Sequence, residues 1–313
     1  MRIRDERRWL PLAIALVLLG VSIRLLAALQ QSATESSAHT QIVLLGTGTP
    51  AADPDRFGPA TAIIVNDTAY LVDAGAGIVR RAAAAARDRS LKSLQAANLR
   101  IVFLTHLHSD HTVGLPDLML SPWTLGRRVA LEVYGPAGTS PMAQHLLEAY
   151  RLDIETRTNA DGNQRDFPKG ASVNAHDIRV GIIYKDANVT VTAFATKHAM
   201  ESYGYRFDTP DRSIVISGDT SPAQATIDAC HGCDVMIHEV NSLAWLAKRP
   251  SAFQAFAAKY HTTTAQLADV ATRAKPRLLI LYHVQALSPD EVFKEMVDRY
   301  NGHVVVGRDL DVY

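Results

Sequence analysis

Within Thr105-His106-Leu107-His108-Ser109-Asp110-His111, three imidazoles and a carboxylate follow directly on the apolar run Ile101 to Leu104. Imidazole nitrogens and carboxylate oxygens are the donors that zinc and comparable divalent ions take. A strand ending in such a turn aims its side chains at two points a few ångströms apart. A polar turn that is His-rich by accident is the plain alternative, but His is an uncommon residue and the spacing His-x-His-x-Asp-His is rare at random. The chemistry expected is metal-assisted hydrolysis.

The elements that must position this turn follow from the periodicity downstream of Thr40, where strands and helices alternate. Gln41 to Leu45 reads as a strand entering the glycine turn Gly46-Thr47-Gly48-Thr49-Pro50. Ala62 to Val65 and Ala69 to Val72 read as a hairpin across Asn66-Asp67, ending at Asp73-Ala74-Gly75 before a helix over Gly77 to Arg89. In the second half, Val189 to Ala195 runs towards His198, and Ser213 to Ser217 towards Gly218-Asp219. Val235 to Ile237 ends at His238-Glu239, and Leu278 to Tyr282 ends at His283. Helices are expected from Ser221-Pro222 to Cys230, over Thr264 to Arg273 and over Pro289 to Tyr300. Strand ends are where α/β enzymes hold their chemistry. Residues 151–180 read as an irregular, charge-balanced flap exposed to solvent.

The potential ligands are therefore His106, His108, Asp110, His111, His198, Asp219 and His283. That number suits two four- or five-coordinate ions sharing one carboxylate. Asp219 is also placed to cap the helix opening at Ser221-Pro222, a role that competes with ligation. His283 stands alone, and His198 by itself would pass for an ordinary surface histidine.

At 313 residues and 47% apolar, the chain can bury a full core, and its formal charge is zero. Five basic and three acidic side chains fall in residues 1–38, so the remainder is slightly acidic and has no global pull on a polyanion. That first segment differs in kind. A charged head, Arg2 to Arg8, precedes an apolar stretch, Trp9 to Leu29, broken by Ser22 and Arg24. About 20 apolar residues suffice to span a bilayer, and arginines ahead of them favour a cytoplasmic start. Either an uncleaved membrane anchor or a signal peptide cut near Ser36-Ser37-Ala38 fits, with a buried core helix as the plain alternative. The first two place the body, residues 39–313, in the periplasm or outside the cell. Cys230 and Cys233 could form a local disulfide in an exported body or remain two inert thiols.

The order and context of these residues resemble the metallo-β-lactamase superfamily, and within it the ribonuclease Z and arylsulfatase-like branch. The matching pieces are Leu45-Gly46-Thr47-Gly48-Thr49-Pro50, Val72-Asp73-Ala74-Gly75, the His-rich turn with Gly114-Leu115-Pro116, and His198 with Tyr203-Gly204-Tyr205-Arg206. Ser217-Gly218-Asp219-Thr220, His238-Glu239, His261-Thr262-Thr263 and His283 complete the set, which covers residues 41 to about 310. The resemblance implies an αββα sandwich, here preceded by an N-terminal apolar helix, with two zinc ions (or manganese or iron) at one edge. It assigns His106, His108 and His198 to the first ion, Asp110, His111 and His283 to the second, and Asp219 to both. Asp73 would orient a metal-bound group by hydrogen bonds. A hydroxide shared by the ions would attack a phosphoryl, sulfuryl or acyl centre, with Asp110 placed to take the water's proton. Glu239 would orient His261 as general acid; a helix-capping His261 and a core-edge Glu239 are the bland alternatives.

Two departures bear on substrate. Val240-Asn241 stands where ribonuclease Z carries Ala-Thr, and no Gly/Pro-rich arm for gripping transfer RNA is present. With the leader and the neutral body, these favour an exported or tethered enzyme acting on a small phosphodiester or sulfate ester. The alternatives are a ribonuclease Z-like endonuclease on tRNA 3′ ends, and a lactone, thioester or β-lactam hydrolase. Partners follow accordingly: a small ester before a nucleic acid, a membrane if the leader stays on, and a second copy, since dimers are usual in the resembling family.

Overall fold

Among the described residues, thirteen strands build two sheets that lie face to face, with helices covering both outer faces. The computed structural model describes residues 40–286 and 288–313. The leader, and with it the apolar helix expected there, lies outside the described residues. Among the described residues no helix is long and apolar enough to cross a membrane.

The first sheet runs in sequence order: β1 (Thr40–Gly46), β2 (Ala60–Val65), β3 (Thr68–Val72), β4 (Ile101–Phe103), β5 (Leu131–Gly135) and β6 (Val173–Asp177). Its first two pairings are antiparallel and the rest parallel. The second sheet contains β7 (Gly181–Lys185), β8 (Thr190–Ala195), β9 (Tyr203–Asp208), β10 (Ser213–Ile216), β11 (Val235–Asn241), β12 (Leu278–Gln285) and β13 (Val304–Val306). It repeats the plan, antiparallel as far as β10 and parallel beyond.

The helices are α1 (Ile78–Asp88), α2 (Ser109–Thr112), α3 (Leu115–Thr124), α4 (Thr139–Ala149), α5 (Arg151–Thr158), α6 (Gln224–Cys230), α7 (Leu243–Ala247), α8 (Ser251–Tyr260), α9 (Thr264–Ala274) and α10 (Pro289–Val297). Ile42, Ile63, Tyr70 and Phe103 of the first sheet meet Val191, Tyr205, Ile216, Ile237 and Ile280 of the second in the central core. Val43, Ile64, Leu71 and Val102 face outward under α1 and α3, and Val215, Met236, Leu279 and Leu281 under α6, α9 and α10. Strands covered on both faces cannot alternate in polarity, which is why β2, β10 and β12 read as continuous apolar runs. The edge strands β6 and β7 do carry exposed positions, and they are weak signals in the sequence. The αββα sandwich is thus present as expected.

Several expectations need correction. Residues 151–180 are not an irregular flap: they form α5, a 3₁₀ turn at Pro168–Ala171 and β6, which pairs with β5. β11 and β12 do not stop at His238 and His283 but run on to Asn241 and Gln285, because each continues its parallel ladder with its neighbour. The segment 243–260, assigned to no element from sequence, is the pair α7–α8. Of the two forms left open for Cys230 and Cys233, the first is present: they form a local disulfide at the end of α6.

Candidate metal centre

β4 hands the chain to the His-rich turn between the two sheets. Asp73, just past β3, holds that turn: its Oδ1 accepts from Thr105 N at 2.7 Å and its Oδ2 faces His111 Nδ1 at 2.8 Å. Asp73 does this from a left-handed backbone, φ +61°, a conformation uncommon outside glycine and best tolerated by Asn and Asp. His106 and His111 are completely buried, whereas His108 and Asp110 border the cleft.

Three imidazole nitrogens converge on one point. His106 Nε2 and His198 Nε2 each lie 3.0 Å from His108 Nδ1. The other nitrogen of His106 is 3.0 Å from Thr105 Oγ1, and that of His198 donates to Tyr260 O at 3.0 Å. The loop bearing His198 is tied to the next one by Lys197 N donating to Thr220 Oγ1 and Ser221 N donating to Lys197 O.

A second group gathers beside it. His111 Nε2 is 3.6 Å from Asp110 Oδ2 and 3.4 Å from Asp219 Oδ1, and His283 Nε2 is 3.7 Å from Asp110 Oδ2 and 3.4 Å from Asp219 Oδ2. Asp219 also falls within ligand-sharing distance of His106 and of His198 with His261, so it belongs to both groups. Gly218 makes this approach possible. It sits at φ +60°, and a Cβ there would meet the Thr105 side chain at 2.7 Å, so only glycine lets the turn close on the His-rich loop. His283 reaches the centre from a β-bulge, where the β11–β12 register shifts and its φ is +50°. All seven ligand candidates therefore come together.

The donors suit cations. Asp110 Oδ2, Asp219 Oδ1, His111 Nε2 and His283 Nε2 are buried and have no hydrogen-bond partner, an arrangement expensive enough to demand an explanation. Donor separations of 3.0–3.7 Å compare with about 3.3 Å between neighbouring ligands of a tetrahedral zinc ion. Burial holds His106, His108 and His198 below the ordinary histidine range, which keeps them in the neutral form that binds metal. Asp219 is driven well below the usual carboxylate range: its burial opposes this, and His283 and His111 overcome it.

The Glu239–His261 pair stands beside the ligands. His261 Nδ1 lies 3.1 Å from Glu239 Oε1 and 3.9 Å from Asp219 Oδ2. The same Oε1 accepts from Thr220 N and Thr262 N at 3.2 Å each. Burial acts to lower His261, but Glu239 and then Asp219 outweigh it and push its pKa up to about 9. His238 turns away and contacts Glu239 O at 2.7 Å. Thr263, rather than His261, caps α9.

The cleft over this centre encloses about 800 Å³. One wall is the turn Thr49 to Arg56, and the other is α7–α8 with Trp245, Arg249, Phe253 and Phe256. Sequence reading missed this second wall. Its signal was compositional: residues 243–260 hold four aromatic residues and three cations and no carboxylate.

Known proteins resemble this chain over most of its length. Residues 68–284 match the model of the β-lactamase superfamily domain. Ribonuclease Z of Mycobacterium bovis is 31% identical over 279 residues, spanning 86% of this chain and 96% of that protein. Ribonuclease Z of Mycobacterium sp. strain KMS is 33% identical over 248 residues, spanning 78% and 83%. Among solved structures, human short-form tRNase Z superposes with a TM-score of 0.66 at 21% identity, covering 87% of this chain and 98% of its own. The metallo-β-lactamase fold protein YhfI of Bacillus subtilis gives 0.65 at 17%, covering 88% and 99%. The two structures speak for the fold, and the matched sequences for the family: this chain belongs to the metallo-β-lactamase superfamily, as a metal-dependent hydrolase near ribonuclease Z.

Proposed function

We propose that this hydrolase cleaves a phosphodiester bond of RNA, at the 3′ extension of a transfer-RNA precursor. One observation carries the reading: the likeness to ribonuclease Z extends over 96% of the Mycobacterium bovis protein and not only over the metal motif. His106, His108 and His198 would hold one zinc ion and Asp110, His111 and His283 a second, with Asp219 facing both. Bound there, the ions would polarise the phosphoryl oxygen and lower the pKa of water. Asp110 Oδ2, unpartnered and turned into the ligand group, takes the proton of the attacking water. His261, fixed through Nδ1 by Glu239, presents its other nitrogen to the leaving oxygen and protonates it.

A second reading, a small phosphodiester or sulfate ester cleaved outside the cytoplasm, draws on one feature. Residues 151–177, free of a Gly/Pro-rich arm, fold locally through α5 and β6. The test is kcat/KM on zinc-loaded protein for a 3′-extended tRNA precursor against chromogenic phosphodiester, sulfate and lactone substrates, at two salt concentrations. Preference for the precursor, weakening steeply with salt, supports the first reading. Turnover of the small esters alone overturns it. Export of a reporter fused to residues 1–38 would also favour the second, since precursor tRNA is absent outside the cytoplasm. A homodimer is proposed on family likeness and is checked by light scattering.

A further inference from the structure

The wall formed by α7–α8 turns the aromatic residues Trp245, Phe253 and Phe256 to the cleft. Phe256 is 39% exposed, and its ring centre lies 5.7 Å from that of His261. Its neighbours Phe253, Tyr260 and His261 are tilted to it by 43°, 58° and 53°, so none of them stacks on its face. Trp245 meets Phe253 edge-on at 5.7 Å and carries the Arg249 guanidinium 4.3 Å above its ring. Arg249 Nε has no hydrogen-bond partner. Lys248, Arg249 and Lys259 stand in a stretch without a single carboxylate, a local positive charge on an otherwise neutral body.

We infer that residues 243–260 form a stacking platform for an unpaired nucleobase on the leaving-group side of the cleaved bond, with Phe256 as the stacking face and Arg249 as the phosphate contact. The inference rests on the proposed RNA substrate and narrows it to one that presents a single-stranded nucleotide at the metal centre. Aromatic faces alternating with cations along a groove are how proteins hold single strands without reading sequence. A membrane surface is the other partner for exposed aromatics and lysines. The concave placement of Trp245, Phe253 and Phe256, sharing one cleft with His108, Asp110 and Asp219, favours the nucleotide.

The test is fluorescence anisotropy with labelled hexadeoxyadenylate and with an abasic hexamer of equal charge, run on the intact zinc-loaded protein. Wild type should bind the base-bearing strand about tenfold more tightly than the abasic one, the scale of one base–aromatic stack. Phe256→Ala should erase that difference and Phe256→Tyr should keep it, while Arg249→Ala weakens both strands alike. Equal binding of the two strands by wild type overturns the platform, as does loss of the preference in Phe256→Tyr. So does Phe256-dependent sedimentation with phosphatidylserine vesicles in the absence of oligonucleotide binding. Base preference without precursor cleavage would keep the platform and remove the proposed substrate. Cleavage without base preference would do the reverse.

Discussion

His283 Nε2 stands 3.4 Å from Asp219 Oδ2 because a β-bulge turns one residue of β12 out of its ladder. Its Nδ1 is meanwhile fixed by Gly48 O at 2.6 Å. The imidazole thus has one orientation, and its free nitrogen can point only into the ligand group. A regular strand would carry residue 283 to a sheet face.

Replacing His283 with Ala should therefore cost metal before it costs fold. Zinc content by mass spectrometry is expected to drop by about one equivalent, with kcat/KM down by more than about 100-fold. Chelation of the wild type should lower its melting temperature and zinc should restore it, by mass action on the folded state. Full zinc content in His283→Ala would remove this residue from the ligand set.

Asp73→Asn separates the charge of Asp73 from its backbone role. Asn tolerates the left-handed conformation, so the melting temperature should move little. Zinc affinity, measured by competition with a chromogenic chelator, should fall about 10–100-fold as His111 loses its anionic partner. Unchanged affinity would show that Asp73 serves only the Thr105 turn.

His261→Ala is expected to lower kcat by about 10²–10⁴ on esters with poor leaving groups. On p-nitrophenyl esters the loss should be much smaller, because p-nitrophenolate departs without a proton. Glu239→Gln should follow the same pattern more mildly. Equal losses on both ester classes would argue for a purely structural pair.

Arg127 offers a test of the fold remote from the chemistry. It is completely buried, and its guanidinium donates to the carbonyls of Leu99, Leu118, Met119 and Gly170. Burial pulls its pKa down to about 10, which leaves it charged at neutral pH. Arg127→Ala strands these acceptors and should destabilise the body by at least about 3 kcal/mol, or roughly 6–12 °C in melting temperature. A shift within a degree would contradict the role described.

Resemblance to the metallo-β-lactamase superfamily pointed to the αββα class, while the amino-acid order alone was enough for the alternating strands and helices, the His-rich turn and the list of seven donors. Each of these is written locally: apolar runs for doubly covered strands, and ligand residue types at or just beyond their ends. The hairpin read across Asn66-Asp67 turns where expected, with Asn66 in a left-handed conformation. Geometry that depends on distant partners was not legible. The bulge at His283 arises from the register of β11 against β12, and the course of 151–180 from an edge pairing with β5. The aromatic wall of α7–α8 becomes a wall only once β11 carries it across from the turn at Thr49 to Arg56. Side-chain type is a property of one position, whereas a 3.4 Å approach between His111 and Asp219 is set by how two sheets pack, and no local pattern encodes that packing.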